Sequence, residues 1–491
     1  MNIFMIPECR LINRNLMLHY AYLLDLIVYF FIIFIITYFA SKQTRDHQDF
    51  ILAGRGLNSW FVALGAGASD MSGWLLMGLP GAVFLQGLNQ IWMPIGLLLG
   101  AYVNWTFIAK KIRTRSEALG DASTVPAFIE NSFHQTKYIT IITTSIIILF
   151  FAIYVAAGFV SAAVLFQTIF NLSYLHCLLI GFVVITLYTF LGGFIAVSWI
   201  DFFQGTLMLF ALLIVPLATF FVNHNQLIAV NAPANFLNPV HGLGIIGIIS
   251  LLGWGLGYFG QPHILVRFMA INDAKQMKKA RNTAMTWMLI CLAGAVFCGL
   301  VGSAYYGLNG LNNPESVFLS LAKSLFHPAI SGILFAAVLS AIMSTIAAQL
   351  LISSSAIAED VLVRYVFKGF SIKQRLWFNR VVLVAIAFFA MLIASSPNNT
   401  ILKLVSYAWA GLGASFGPLI IMLVYQKKIT EFAAVMGILV GAITVVVWKH
   451  LAYLGGIFSL YEIIPGFIFS WIAISLCSKL GCNQRIVNKK N

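Results

Sequence analysis

Apolar runs long enough to cross a bilayer recur along almost the whole chain. A hydrocarbon core of ~30 Å takes roughly 20 helical residues. Such runs lie at Tyr20–Ala40 and at about 61–86, 89–110, 139–168, 172–195, 198–222, 242–266, 284–308, 328–358, 378–396, 400–426, 430–450 and 458–480. Inside a bilayer a spanning segment must satisfy its own backbone, so each run reads as a helix. The pattern predicts an all-α polytopic membrane protein with about thirteen transmembrane helices. Composition agrees: 60% of the 491 residues are hydrophobic and 9% are charged, a balance foreign to soluble domains. We expect an extension at 1–18, one transporter-sized domain at 19–480 and a short basic tail at 481–491. The first run is too long for a signal-peptide core and lacks a small-residue cleavage site, so it reads as a retained span.

A net charge of +14 does not point to nucleic acid, because the basic residues fall in short segments between spans. They set orientation instead. With the N-terminus outside and the C-terminus inside, twenty-four of the 29 Lys and Arg residues fall on the inner side, Arg267 counted among them. Arg10 and Arg14 oppose this arrangement; a start at Met17 would remove both, which N-terminal sequencing of the native protein tests. Cysteines at 9, 177, 291, 298, 477 and 482 show no CxxC spacing. They read as buried apolar residues, with neither a disulfide nor a thiolate metal site expected.

Five spans from 61 to 222 and five from 242 to 426 suggest two halves. An odd number per half inverts the second relative to the first, the layout of many secondary transporters. The first helix of the first half carries Ala68-Ser69-Asp70-Met71-Ser72-Gly73-Trp74 at mid-depth. An acid there costs about 2.5–3.5 kcal/mol on insertion scales and marks an ion or solute path. Gly73 between small polar residues predicts an opened helix with free carbonyls. The first helix of the second half carries Gly253-Trp254-Gly255-Leu256-Gly257-Tyr258-Phe259-Gly260-Gln261-Pro262, which predicts a second break at the matching position.

In the span at 328–358, Ser344 and Thr345 follow Ala341 by three and four residues and share its helix face. Two hydroxyls and a carbonyl, joined by the carbonyls of Ala68 and Met71, would offer a small hard cation such as sodium an oxygen shell. Ser and Thr in spans also bond simply to their own i−4 carbonyls. Asp70 could ligate, attract or exchange a proton. Asp201 reads as a helix-start residue facing the dipole. Arg55 marks the inner surface or closes a gate there. Asp25, Glu431 and Glu462 read as interfacial, and His263 as ending its helix. Trp74, Tyr154, Trp254 and Tyr258 could enclose a small ring and sit over a cationic nitrogen, or merely pack. No nucleophile–base pair, phosphate loop or paired carboxylates suggest an enzyme.

These residues carry a resemblance. AGASDMSGWLLMGLPGAVF (66–84), LGGFIAVSWID (191–201), GWGLGYFGQPHIL (253–265), IMSTIAAQLL (342–351), LVSYAWAGLGASFGP (404–418) and YEIIPGFIF (461–469) resemble the sodium/solute symporter family, in particular its proline branch. The resemblance covers about 18–480. It implies a LeuT-type five-plus-five inverted-repeat core, sodium as coupling ion and L-proline as solute. It places sodium on the carbonyls of Ala68, Met71 and Ala341 and the hydroxyls of Ser344 and Thr345. Proline contacts fall on Trp74, Gly78, Tyr154, Trp254, Tyr258 and Pro262. Asp70, Ser72, Gly73, Arg55 and Asp201 take coupling or gating roles. The implied setting is a bacterial inner membrane, with the bilayer, proline and sodium as partners and no obligate protein partner. A symporter of another small carboxylate or zwitterion (pantothenate, betaine) and a non-transporting sensor are the alternatives.

Overall fold

The computed structural model describes residues 7–42, 52–133, 137–191, 194–222, 235–366, 369–396 and 400–480. The tail at 481–491, the first six residues and the loop position of Arg45 lie outside the described residues. In chain order the α-helices are α1 Pro7–Ser41, α2 Ser59–Asp70, α3 Leu79–Gln86, α4 Trp92–Val103, α5 Ala109–Ala118 and α6 Val125–Asn131. Then come α7 Lys137–Phe170, α8 Tyr174–Leu191, α9 Phe194–Val222, α10 Ile245–Leu252, α11 Pro262–Met269 and α12 Met277–Tyr306. The remainder are α13 Val317–Leu325, α14 Pro328–Ser355, α15 Ile372–Ala394, α16 Ile401–Val424, α17 Glu431–Leu451 and α18 Ile463–Leu480. Among the described residues the only β pairing is one isolated bridge, Leu57 with Ile271.

By length and apolarity ten of the described helices can cross a bilayer, or eleven with the bent pair Ile245–Gly260 and Pro262–Met269. Two places account for the smaller number relative to the sequence expectation. Trp74–Ala118 counts once, although Gly87 at φ +81° turns the chain between α3 and α4. Tyr174–Phe190 is a shorter apolar helix. Helix α9 begins at Phe194 rather than near 198, because the apolar run extends upstream through Phe194-Ile195-Ala196-Val197.

The core is a cluster of helices around α14, in which every side chain from Leu334 to Ala356 is buried. Helices α7 and α9 pack on α14, and α9 also packs on α2 and α12. Small residues permit this closeness. A Cβ on Gly158 of α7 would lie 2.5 Å from Ile346 Cδ1 of α14. Helix α1 lies against α14 and α9, and presents Tyr22, Leu26, Tyr29 and Ile33 to them as one buried stripe.

Candidate ion and solute site at two broken helices

The first break follows α2. Asn58 caps that helix by accepting from the backbone N–H groups of Trp60 and Phe61. At Met71 the backbone leaves helical geometry, with φ −89° and ψ 78°, which turns its carbonyl out of the helical ladder. A wide π turn over Trp74–Gly78 then leads into α3. Such turns cluster at functional sites. Asp70 ends α2 and is 2% exposed. Its backbone carbonyl accepts from Trp74 Nε1 at 3.3 Å and from the Tyr154 hydroxyl at 3.2 Å. Ser72 Oγ lies 3.5 Å from the Trp74 backbone nitrogen. Gly73 sits where a Cβ would be 2.5 Å from Ser161 Oγ and 3.2 Å from Ile342 Cγ1, so only glycine lets the break pass between α7 and α14.

The second break runs as a 3₁₀ segment over Gly253–Gly260, with Gln261 extended before α11. The two pieces meet at a 47° bend, as the glycines and Pro262 predict. Its glycines let backbone approach backbone. A Cβ on Gly255 would be 2.2 Å from the Gly96 carbonyl oxygen, and one on Gly260 would be 2.5 Å from that of Leu412. Pro262 opens α11, where its missing N–H costs nothing.

The two breaks are joined. The Tyr258 hydroxyl donates to Asp70 Oδ2 at 2.6 Å. Trp74 and Trp254 lie with ring centroids 6.4 Å apart. Tyr461 stacks on Trp254 at 5.3 Å, and Trp409 meets Tyr258 edge-on at 5.1 Å. Trp409 Nε1 also donates to the Trp254 carbonyl at 2.8 Å. Tyr154 reaches the same place from α7. Thus Asp70, Trp74, Tyr154, Trp254 and Tyr258, chosen from sequence, converge on one buried locus. Gly78 flanks it: a Cβ there would only touch Trp74 and Leu402 at 3.4–3.5 Å. Trp409 and Tyr461 were not singled out, although both lie in stretches that carry the family resemblance.

Next to the first break stands α14. Thr345 Oγ1 lies 3.4 Å from the Ala68 carbonyl oxygen, to which it donates. Ala68, Met71, Ala341, Ser344 and Thr345 are all within 1% of complete burial. Ser344 does not face Ala68 by a hydrogen bond; its hydroxyl donates to Asp201 Oδ1 at 2.6 Å. Donation through hydrogen leaves the hydroxyl's lone pairs available to a cation.

Asp201 is not a helix-start residue. It sits two turns inside α9, wholly buried, because that helix begins at Phe194. Arg267 is likewise not a loop residue: it lies in α11, is 1% exposed, and donates from NH2 to Asp201 Oδ2. Its NH1 donates to Ser198 Oγ at 2.7 Å. This buried pair ties α9, α11 and α14 together, and truncating either partner would strand a charge. A signal existed, since Arg267 is the lone cation in the run from Ile264 to Ile271 and an ionisable residue inside an apolar run is functional by default. His263 starts rather than ends its helix; its ring meets Phe151 and Tyr154 edge-on at 5.5 and 6.2 Å. Glu462 is 5% exposed and pairs with Lys449 at 3.2 Å.

Arg55 stands apart from this locus. It follows Ala53 and Gly54 in a left-handed turn. Its Nε donates to Asp121 Oδ1 at 2.6 Å, NH1 to the Met269 carbonyl at 2.8 Å and NH2 to the Ala122 carbonyl at 3.0 Å. It therefore links the entry to α2 with the end of α11. At the other end of α2–α3, Glu315 accepts from the Ile401 and Leu402 N–H groups at 3.0 and 3.1 Å. A carboxylate from another loop thus caps α16.

Two helices broken at matching positions and joined through a buried acid, in an all-helical membrane core, are the architecture of a secondary transporter with LeuT-type inverted repeats. Comparison with known proteins specifies the class. The chain belongs to the sodium:solute symporter family, whose model matches residues 50–441. It is 46% identical over 466 residues to the sodium/proline symporter of Escherichia coli (strain K12), covering 92% of both chains. It is 46% identical over 453 residues to the high-affinity proline transporter PutP of Bacillus subtilis (strain 168), covering 91% of this chain and 95% of that one. A solved Na+-coupled sialic acid symporter superposes with a TM-score of 0.78 at 17% identity, over 96% of this chain and 98% of that one; at that identity the likeness concerns the fold.

Proposed function

We propose that this protein takes up L-proline with sodium across the cytoplasmic membrane of a bacterial cell by alternating access. The observation that carries the reading is the Tyr258–Asp70 hydrogen bond at 2.6 Å, which joins both breaks at one aromatic locus. The named proline symporters, similar over nearly the whole chain, support proline as the solute and sodium as the coupling ion.

In this reading sodium, as transported substrate, is held by the Ala68, Met71 and Ala341 carbonyls and the Ser344 and Thr345 hydroxyls. Asp70 and Asp201 supply negative charge beside it, the latter partly offset by Arg267. Ser72 and Gly73 let the first break close around the ion. Ion binding there fixes Trp74 relative to Tyr154, Trp254 and Tyr258, which hold the pyrrolidine ring with Gly78 and Pro262. The proline carboxylate meets N–H groups freed at a half-helix start, where the dipole favours an anion. Arg55 holds the inner side closed through Asp121 and Met269 until both solutes are bound. The N-terminus lies outside and the C-terminus inside, following the charge asymmetry of the loops.

Proline is a net-neutral zwitterion, so each sodium carried with it moves one charge. That is worth about 2.3 kcal/mol per 100 mV, or a roughly 50-fold concentration ratio at ~1.4 kcal/mol per decade. Radiolabelled L-proline uptake into proteoliposomes under an inward sodium gradient, against an equal potassium gradient, tests the reading. Accumulation above equilibrium with sodium alone supports it. Equal accumulation with potassium, or none with either, overturns it.

A further inference from the structure

Helix α1 lies outside the paired five-helix repeats, and much of its surface is exposed. Along Tyr20–Ala40 only Tyr22, Leu26, Tyr29, Ile33 and Ala40 are buried among the apolar side chains. Of these, Tyr29 does more than pack. Gln204 Nε2 of α9 donates to its hydroxyl oxygen at 2.7 Å. Ser340 Oγ of α14 lies 3.0 Å from the same oxygen. The Tyr29 O–H in turn points at Met343 Sδ, 3.9 Å away. All four residues are fully or nearly fully buried, where a hydrogen bond is made with little competition from water and a lost one is costly.

The positions of the two partners give this contact its meaning. Gln204 is one turn after Asp201 on α9. Ser340 is one turn before Ser344 on α14. Residues one turn apart share a helix face, so the Tyr29 junction is the next layer of the same α9–α14 seam. In the layer beyond it the Ser344 hydroxyl donates to Asp201 Oδ1 at 2.6 Å. The hydroxyl of Tyr29 is therefore a cross-brace between the helix that bears Asp201 and the helix that bears Ser344 and Thr345. Phe203, stacked on the Tyr29 ring at 6.4 Å, holds the ring in place from α9.

We propose that Tyr29 is a positioning residue for the coupling ion: its hydroxyl sets the spacing of α9 and α14, and through it the placement of Ser344 and Thr345. Removing the hydroxyl leaves the aromatic packing and loosens the seam at one layer. Sodium should then be held less tightly, while the aromatic side chains of the proline locus, whose hydrogen bonds and ring contacts are made with residues other than Tyr29, keep their own contacts. The inference rests on the sodium-coupled reading above.

The test measures proline uptake by full-length protein in proteoliposomes as a function of sodium, and proline KM at saturating sodium. Wild-type dependence on sodium is established first; its absence would overturn the functional reading itself, and the inference with it. In Tyr29→Phe the half-saturating sodium concentration is expected to rise about fivefold, with proline KM at saturating sodium within about twofold of wild type. Tyr22→Phe, which removes a hydroxyl from the same stripe, should leave sodium dependence unaltered. Ser340→Ala should act as Tyr29→Phe does, and the double variant should add little, since both remove one junction. If Tyr29→Phe does not accumulate, Ser340→Ala carries the same test. An unchanged half-saturating sodium concentration overturns the proposal. So does a uniform drop in rate at all sodium concentrations, which would make the contact merely structural.

Discussion

The two broken helices differ in how they are broken. The first opens over Met71–Gly73 and a single π turn, carries the acid, and meets α14 through the Thr345 to Ala68 hydrogen bond at 3.4 Å and the close passage of Gly73 beside Ile342. The second is broken over the whole of Gly253–Gly260 and is packed backbone against backbone on α4 and α16. The first supplies an acid and a backbone carbonyl, and is tight at Gly73 but leaves ordinary clearance at Gly78. The second supplies aromatic faces on a support packed backbone to backbone at Gly255 and Gly260. The two matching segments are thus built differently: one brings a buried acid and a carbonyl beside α14, the other brings aromatic rings on a backbone-packed support. The bond from Tyr258 to Asp70 joins the two.

This contrast can be broken most severely at the second break. A Cβ on Gly257 would fall only 1.9 Å from Trp409 Nε1, the group that donates to Trp254. Gly257→Ala should reduce proline uptake at least 100-fold, and the purified variant should melt well below wild type. Wild-type melting and uptake would show that the second break is not rigid. Asp70→Asn asks the complementary question of the first break. The amide oxygen can still accept from Tyr258, so the fold should hold while the charge is gone. Uptake should fall about 100-fold with normal amounts of protein in the membrane; near-normal uptake would remove the charge from the mechanism.

Much of this contrast is readable in the residues. Alternating apolar runs and polar breaks mark the spans, because the bilayer penalises unpaired backbone wherever it occurs. Glycine and proline placement marks both breaks, and an acid inside an apolar run marks Asp70. The partners were harder to see. Asp201 and Arg267 are sixty-six positions apart in the sequence, and only packing brings them together. Read locally, each looked like an ordinary end-of-span charge, and the start of α9 at Phe194 was masked by the adjoining apolar run. Ser344 and Thr345 are consecutive on α14, but helical phase alone does not reveal that the Ser344 hydroxyl turns to Asp201. Trp409 closes the aromatic locus through its ring N–H, a detail that no periodicity reports.

Smaller changes sharpen the comparison. Thr345→Val removes one oxygen next to Ala68 and keeps the side chain's shape. It should raise half-saturating sodium about tenfold, which corresponds to ~1.4 kcal/mol, with little change in maximal rate at high sodium. Sodium dependence identical to wild type would place the ion elsewhere. Gly78→Ala, at the less crowded end of the first break, should be the mildest. Its Cβ would make ordinary contacts at 3.4–3.5 Å with Trp74 and Leu402. Protein amount and melting should match wild type, with any effect confined to proline KM and below about threefold. Misfolding of this variant would mean that the Gly78 end of the first break is packed as tightly as Gly255 and Gly260.

The central claim is that ion and solute meet across the two breaks, so that each stabilises the arrangement the other requires. Titration of the purified protein addresses it directly: proline affinity measured over a range of sodium concentrations, and sodium affinity over a range of proline concentrations. Linkage requires the two affinities to change by the same factor. The expected result is an increase of at least tenfold in proline affinity at saturating sodium, matched by the same increase in sodium affinity at saturating proline. Proline binding that ignores sodium would contradict the account.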